Sequence, residues 1–392
     1  MALQPAAGAR DLHPREVDRN RRLCDQLAEV YRLWGYQEVA PPTIERLDTL
    51  EAGGAIDANA LIRLAAGEPL GLRPELTASI ARAAGTRLAG RPRPLRLWAC
   101  GSIYRSVAGE GGGRRISEEL QSGVELLGVP SAAADGELMH LLLAAAATLG
   151  LRREHAPTLL VGHHGLLDRL LEEVPDAQRP AVRRALTDLD ALALAALPLP
   201  EALRRRLAAL LALRGEPAEV IYQLEQWLGP VELLDSLAAT LEGVADACRA
   251  QGVRLQLDPT FQPHFDLYDG LVLKLVCQGA DAPVAIASGG RYDALVGRFS
   301  SDPERAAGTG FAFAVEAIRE LLDADMPQES APGPWLVAAT AAAGLRAALG
   351  RMAELHAVGE AAELCVQACP DRASAEEHAR ERGCRGAQWI AA

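Results

Sequence analysis

Two alternating runs separated by a glycine-rich interruption constrain this chain more than any other feature. Leu95-Arg-Leu-Trp-Ala-Cys-Gly-Ser-Ile-Tyr-Arg105 sets Leu95, Leu97 and Ala99 against Arg96, Trp98 and Cys100. The run from Glu118 to Leu127 sets Leu120, Ser122, Val124 and Leu126 against Glu119, Gln121, Gly123 and Glu125. A two-residue period is that of a strand, whose successive side chains leave opposite faces, so the pair predicts an antiparallel hairpin. The stretch from Ser106 to Ile116 is too long for a two-residue turn. Its glycines and the adjacent Arg114 and Arg115 are expected to form a mobile flap able to meet an anionic group. The second strand then shows a polar face carrying Glu119, Gln121 and Glu125. Such a face is either the wall of a pocket for a cationic, hydrogen-bonding ligand or an ordinary solvent-facing sheet surface.

A chain of 392 residues can bury a large core and points to two or three domains. Its 40 basic and 52 acidic residues leave a net charge of -12, the wrong sign for a protein whose main task is to hold a phosphate backbone. The N-terminal residues lack a basic region followed by an apolar core, and the most apolar helical run, Leu138 to Leu149, is too short to cross a bilayer. A cytoplasmic location is therefore expected. Seven scattered cysteines fit reduced thiols rather than a disulfide framework. Cys365 and Cys369 lie four residues apart without a further Cys/His cluster at zinc-motif spacing, so no metal site is expected.

In chain order, the apolar period from Glu16 to Trp34 predicts an amphipathic helix stopped by Gly35. Tyr36 to Ile44 reads as an extended edge segment because of Pro41 and Pro42. Arg73, Glu75 and Thr77 share one side of a second extended piece, where a carboxylate suits an ammonium group. Ala132 to Leu149 is a helix, Arg152 to about Leu160 a strand, and residues 162–250 a helical insertion. Strands resume at Val253–Asp258 and Phe265–Val276, and Asp266, Tyr268 and Gly270 share a face able to complete a pocket opposite Gln121 and Glu125. Pro283–Ser288 is a further strand, Gly289 to Asp293 a tight flexible turn, and Gly308 to Leu322 runs into an amphipathic helix. Residues 323–334 form a linker, and residues 335–392 a small α/β region with a helix around Leu345–His356 and another from about Ser374.

These pieces, in this order, resemble the histidyl-tRNA synthetase catalytic core and, more closely, its non-aminoacylating relatives, the regulatory subunits of ATP phosphoribosyltransferase. Gly35 to Glu45 is similar to the first class II motif, Arg105 to Glu125 to the second, and Gly289 to Asp293 with Gly308 to Ile318 to the approach to the third. Leu72-Arg-Pro-Glu-Leu-Thr77 and Gln121-Ser-Gly-Val-Glu125 resemble histidine-pocket segments. The resemblance covers roughly residues 10–322 and implies an α/β (α+β) fold of the class II aminoacyl-tRNA synthetase type. That fold has a mixed, mainly antiparallel sheet in a core of residues 1–322, with the helical insertion inside it and the small C-terminal region after it.

The departures from the synthetase pattern fall on the nucleotide side. The Arg-x-Glu of the second motif reads Arg105-Ser-Val107, and Glu119 stands where an aromatic residue packs against adenine. The catalytic Arg-Gly-Leu-Asp-Tyr-Tyr pattern is represented by Pro263-His-Phe-Asp-Leu-Tyr268 without its arginine, and Ala317 replaces the third-motif arginine. Adenylate formation needs cationic groups against a transferring phosphate, so aminoacylation is not expected and no catalytic residue is assigned. The resemblance gives Glu75, Gln121, Glu125 and Tyr268 as histidine-binding candidates. Arg105, Arg114 and Arg115 are the remnants of a nucleotide side. It implies a non-catalytic regulatory subunit, without cofactor or metal, that joins a short-form catalytic ATP phosphoribosyltransferase in the first step of L-histidine biosynthesis. It further implies free L-histidine as effector and self-association through the class II dimer surface. A shortened or missing anticodon-binding domain agrees with no tRNA partner, and no membrane partner is expected.

Overall fold

In the computed structural model, residues 5–391 are described apart from 53–58, 110–111, 264–266, 301, 303–304, 324–332, 342 and 368. Asp266 and most of the expected linker lie outside the described residues. The chain divides into two compact units, Met1–Ala324 and Asp325–Ala392.

Pro14 needs no N–H partner in a first turn, and Glu16 reaches back to accept the His13 N–H at 2.7 Å, which opens α1 (Pro14–Leu33). Gly35 ends it with a φ of +79°. After β1 (Gln37–Glu38), the segments β2 (Ile44–Arg46), α2 (Leu47–Ala52), β3 (Ile62–Leu64) and β4 (Leu70–Leu72) make a small antiparallel sheet in the order β2-β4-β3, with α2 following β2. α3 (Thr77–Gly85) leads to the hairpin, β5 (Leu95–Ala108) and β6 (Arg114–Leu127). Pairing runs unbroken from Leu95↔Leu127 to Ala108↔Arg114. The flap expected from Ser106 to Ile116 is therefore mostly strand, and Gly109 N–H already closes on Gly113 O at 2.8 Å. Backbone pairing outcompetes the glycines because Val107 and Arg115 still find ladder partners.

α4 (Ala132–Ala147) and a short 3-10 turn at Arg153–His155 precede β7 (Thr158–His163). The strand expected from Arg152 thus starts six residues later. The insertion is helical as expected: α5 (His164–Leu170), α6 (Arg179–Thr187), α7 (Ala191–Ala196), α8 (Glu201–Leu210), α9 (Pro217–Leu228) and α10 (Glu232–Ala250). β8 (Arg254–Leu257), β9 (Leu271–Gln278), β10 (Pro283–Arg291), α11 (Asp293–Phe299), β11 (Gly308–Ala314) and α12 (Val315–Asp323) complete the first unit. Its main sheet has the order β1-β5-β6-β11-β10-β9-β7-β8, parallel only at β1/β5 and β7/β8. Gly289 and Gly290, expected in a turn, are mid-strand. A Cβ on Gly289 would meet Gly310 O and one on Gly290 would meet Leu271 O, so the glycines admit a close backbone approach instead of a bend. Gly308 to Ala314 is likewise a central strand, and the helix begins only at Val315.

One sheet face packs Trp98, Val124, Leu126, Phe311 and Phe313 against Leu27, Tyr31, Leu138 and Leu142 of α1 and α4. The other face packs Leu95, Leu97 and Ile103 against Ile80 and Ala84 of α3 and Leu295 and Val296 of α11. The second unit is a parallel three-stranded sheet, β13-β12-β14, built from β12 (Trp335–Ala339), α13 (Gly344–Ala357), β13 (Ala362–Leu364), α14 (Arg372–Glu381) and β14 (Gly386–Ile390).

Arg319 of α12 is buried, 1% exposed, where α12 crosses α1. It donates to Asn20 Oδ1 at 3.1 Å and pairs with Glu16 and Glu320, each at 3.2 Å. A buried guanidinium persists only with its partners in place. Because Glu16 is 26% exposed, removing Arg319 costs less than breaking a fully buried pair. Arg319→Ala is expected to lower the unfolding free energy by about 2–3 kcal/mol, read as a lower urea midpoint at constant slope; an unchanged midpoint would show that the cluster contributes nothing.

Candidate functional site

The pocket face of the sheet is the β6 face that alternation made polar. At its centre Glu125 pairs across the ladder with Leu97 on one side and Gly310 on the other. A Cβ at Gly310 would collide with the Glu125 carboxylate, so glycine in β11 is what lets that carboxylate lie flat against the sheet. Thr77 Oγ1 donates to Glu125 Oε1 at 2.7 Å, and the Tyr292 hydroxyl donates to Oε2. Tyr292 is held there by what precedes α11. Arg291 pairs with Asp135 at 2.9 Å and Asp293 at 3.2 Å, and the Asp269 carboxylate accepts the N–H groups of Asp293 and Ala294 at 3.1 and 2.6 Å.

In front of this buried layer lies a cavity of about 240 Å³ lined by Glu75, Thr77, Arg105, Gln121, Tyr268 and Lys274, with Ser288 and the backbone of β11 behind them. Its volume is below the roughly 300–1,000 Å³ of sites for larger organic ligands and suits something the size of one amino acid. Of the four residues predicted to meet histidine, Glu75, Gln121 and Tyr268 converge on the cavity, whereas Glu125 stands behind its wall. Glu75 also accepts the Ala78 N–H at 3.0 Å, so it fastens the start of α3 while facing the cavity. Arg73, expected beside Glu75 and Thr77, turns the other way. Its guanidinium is consumed by Ser102 O at 2.8 Å and Pro41 O at 2.7 Å, because residues 74–76 turn into α3 instead of staying extended.

Burial raises the Glu75 carboxyl above its usual range. It raises Glu125 to about 8, with Glu75 pushing the same way and the Thr77 and Tyr292 hydrogen bonds opposing. Burial also raises the Tyr268 phenol. Arg105 donates to Pro74 O at 2.9 Å, and its charge favours ionised Glu75.

The three arginines predicted for a nucleotide side separate. Arg105 lines the cavity, while Arg114 folds back on its own hairpin, donating to Ser106 Oγ at 2.8 Å and Ser106 O at 2.6 Å. Arg115 is exposed on the outer half of β6. Glu119, in the place of the adenine-stacking residue, accepts from Ser117 Oγ at 2.8 Å. A wider groove of about 830 Å³ on the helical insertion is lined by charged side chains, including Asp168, Arg179 and Arg183. It is open, and Arg183 is already paired with Asp168 and with Gln262 at 3.1 Å. The enclosed cavity is the better ligand site.

Sequence reasoning missed Tyr292 and Lys274. Nothing local marks Tyr292, whose partner lies 167 residues away. Lys274 did carry a signal. It is the single lysine among the 40 basic residues, set in the apolar strand Leu271-Val-Leu-Lys-Leu-Val276, and it reaches the cavity beside Phe261, 5.4 Å from that ring.

The raised Glu125 carboxyl has a pH consequence. The fold favours its protonated form, so this contribution to stability is complete below about pH 4.5 and is lost as pH rises toward about 8. Glu125→Gln, which keeps the shape, accepts from one hydroxyl through its amide oxygen and donates to the other through its NH2, is expected to flatten the decline in unfolding free energy between pH 5 and 8 by up to about 1.4 kcal/mol per pH unit. Urea titrations at four pH values would measure it, and parallel wild-type and variant profiles would refute the assignment.

Comparison with known proteins places the chain in a family. Residues 8–318 match the family model described as histidyl-tRNA synthetase. The chain is 52% identical over 392 residues, the whole of both chains, to the ATP phosphoribosyltransferase regulatory subunit of Synechococcus sp. (strain RCC307). A crystal structure of an ATP phosphoribosyltransferase regulatory subunit/histidyl-tRNA synthetase from Bacillus halodurans superposes with a TM-score of 0.83 at 26% identity, covering 100% of this chain and 99% of that one. The histidyl-tRNA synthetase of Nostoc sp. PCC 7120 shares the fold at a TM-score of 0.80 and 18% identity, over 100% of this chain and 92% of the other. With full-length identity of this order, the chain belongs to the family of ATP phosphoribosyltransferase regulatory subunits, built on the histidyl-tRNA synthetase fold.

Proposed function

We propose that the chain serves beside a short-form catalytic ATP phosphoribosyltransferase subunit in the first step of L-histidine biosynthesis, and that its cavity takes free L-histidine as the feedback signal. The observation that carries the regulatory role is the 52% identity, end to end, with a relative named as the regulatory subunit. The chemistry of the site agrees. Glu75 and the Gln121 amide suit an ammonium group, Arg105 and Lys274 suit a carboxylate, and Tyr268 offers an aromatic wall with a hydroxyl for an imidazole. The nucleotide side has lost what adenylation needs. Ala317 leaves no cation at the third-motif position, and Glu119 adds a carboxylate that would repel a triphosphate. The partner subunit then carries the transfer of phosphoribosyl to ATP, and this chain contributes no reacting group.

Histidine acts as a signal only if it binds the inhibited assembly more tightly than the active one; a tenfold preference corresponds to about 1.4 kcal/mol. Self-association through the class II dimer surface, a cytoplasmic location and the absence of tRNA and membrane partners belong to the same reading. The net charge of -12 supports it on the nucleic-acid side. Among the described residues no helix is long and apolar enough to cross a membrane.

Mixing the purified chain with the catalytic subunit is expected to raise phosphoribosyl-ATP formation, and histidine to suppress it. No change in either, or histidine-dependent charging of tRNA by the chain alone, would overturn the proposal. Gln121→Ala removes one neutral hydrogen-bonding side chain from the cavity and is expected to raise the half-inhibitory histidine concentration by about two- to tenfold. Co-elution with the partner should be unchanged; identical inhibition curves would place the histidine site elsewhere.

A further inference from the structure

The second unit contains a group of side chains that the regulatory reading does not use. Cys365 follows the edge strand β13 and is fastened to the sheet by its N–H on Val337 O at 2.8 Å. Cys369 lies in the loop leading to α14, and His378 is in the middle of that helix. The helix start is fixed by Asp371, whose Oδ1 accepts both the N–H and the hydroxyl of Ser374 at 2.8 Å. So anchored, α14 turns His378 Nδ1 onto the two thiols. The three ligand atoms form a triangle with edges of 3.2 Å between the sulfurs, 3.3 Å from Cys369 Sγ to His378 Nδ1 and 4.0 Å from Cys365 Sγ to that nitrogen. It is the one such trio of potential metal ligands among the described residues, and all three side chains are half-buried.

We infer that Cys365, Cys369 and His378 form a binding site for a thiophilic divalent cation of the zinc class. A tetrahedral ion with Zn–S bonds of about 2.3 Å and a Zn–N bond of about 2.0 Å spaces its ligand atoms about 3.5–3.8 Å apart. To match, the sulfurs must separate by about 0.6 Å and the Cys365 Sγ to His378 Nδ1 edge must shorten by about 0.5 Å, within the reach of χ1 rotations in a loop. Two thiolates and an imidazole select zinc-class ions over magnesium or calcium, which require oxygen donors. Each thiol gives up its proton to solvent on binding, so two protons leave, and the pair of thiolates neutralises the ion's two positive charges. Three protein ligands leave the fourth position for water or an added ligand. The sequence spacing gave no motif because the third ligand arrives from a helix nine residues beyond Cys369, brought back by the fold of a parallel βαβ unit.

The bound ion would clip α14 to the edge strand β13. The test uses the full-length chain, reduced and stripped of metal, titrated with Co(II) as an optical probe. Thiolate-to-cobalt charge-transfer absorption saturating at one ion per chain, bleached by Zn(II), is expected. Cys369→Ser and His378→Ala should each weaken cobalt binding by tenfold or more, while Cys277→Ser, a buried cysteine of the other unit, should leave it unchanged. Hydrogen exchange separates a lost site from a lost fold: Zn(II) should slow exchange of residues 362–381 in the wild type and not in a folded Cys369→Ser chain. Absence of the charge-transfer band, binding indifferent to both ligand variants, or a Cys365–Cys369 disulfide that persists in reductant and blocks the metal would each overturn the proposal.

Discussion

The register in which β6 is held between β5 and β11 is the constraint on which the pocket depends. A strand shows alternate residues to opposite faces, so a slip of one residue would turn Gln121 and Glu125 into the apolar layer under α1 and α4 and push Val124 and Leu126 into the cavity. The register is secured from both sides. Fourteen consecutive pairs tie β6 to β5, and on the other edge Gly310 provides the bare backbone against which the Glu125 carboxylate lies. Burying that carboxylate is costly, and the cost is offset by two hydroxyls, from Thr77 at the start of α3 and Tyr292 at the start of α11. Glu125 thus joins the sheet to both helices on its pocket face, and Glu75, Gln121 and Tyr268 line the cavity in front of it.

If the cavity takes histidine as proposed, the same arrangement accounts for a synthetase scaffold serving as a sensor. The proposed amino-acid side of the site is built into the sheet and into the segment that enters α3, where Glu75 also accepts the Ala78 N–H. Of the arginines that the resemblance gives to a nucleotide side, Arg114 is spent on its own hairpin and Arg115 is exposed, and Ala317 stands at the third-motif position.

Much of this was legible in the sequence. The two-residue alternation gave the hairpin and identified the polar face, and the helical insertion announced itself by its Leu/Ala/Arg period. What the sequence concealed was set by distant chain segments. The glycine pair at 289 and 290 looks like a turn because glycine permits one; only the neighbouring backbones of β9 and β11 reveal that it serves close approach in a strand. Glu125 stands one layer behind Glu75, Gln121 and Tyr268, since Tyr292 claims its carboxylate from far along the chain. Lys274, the only lysine present, was a compositional clue available from the start: a chain that otherwise writes every cation as arginine keeps a compact ammonium in this cavity.

That lysine also allows a direct measurement. The full-length chain is treated with an amine-selective acylating reagent, and the modification of the peptide containing Lys274 is followed by mass spectrometry, apart from that of the N-terminal amine, with L-histidine or ATP added in separate experiments. An amino-acid site beside a disabled nucleotide site predicts that L-histidine slows the labelling of Lys274 in a saturable way and that ATP does not. Labelling indifferent to histidine, or slowed by ATP, would contradict the account.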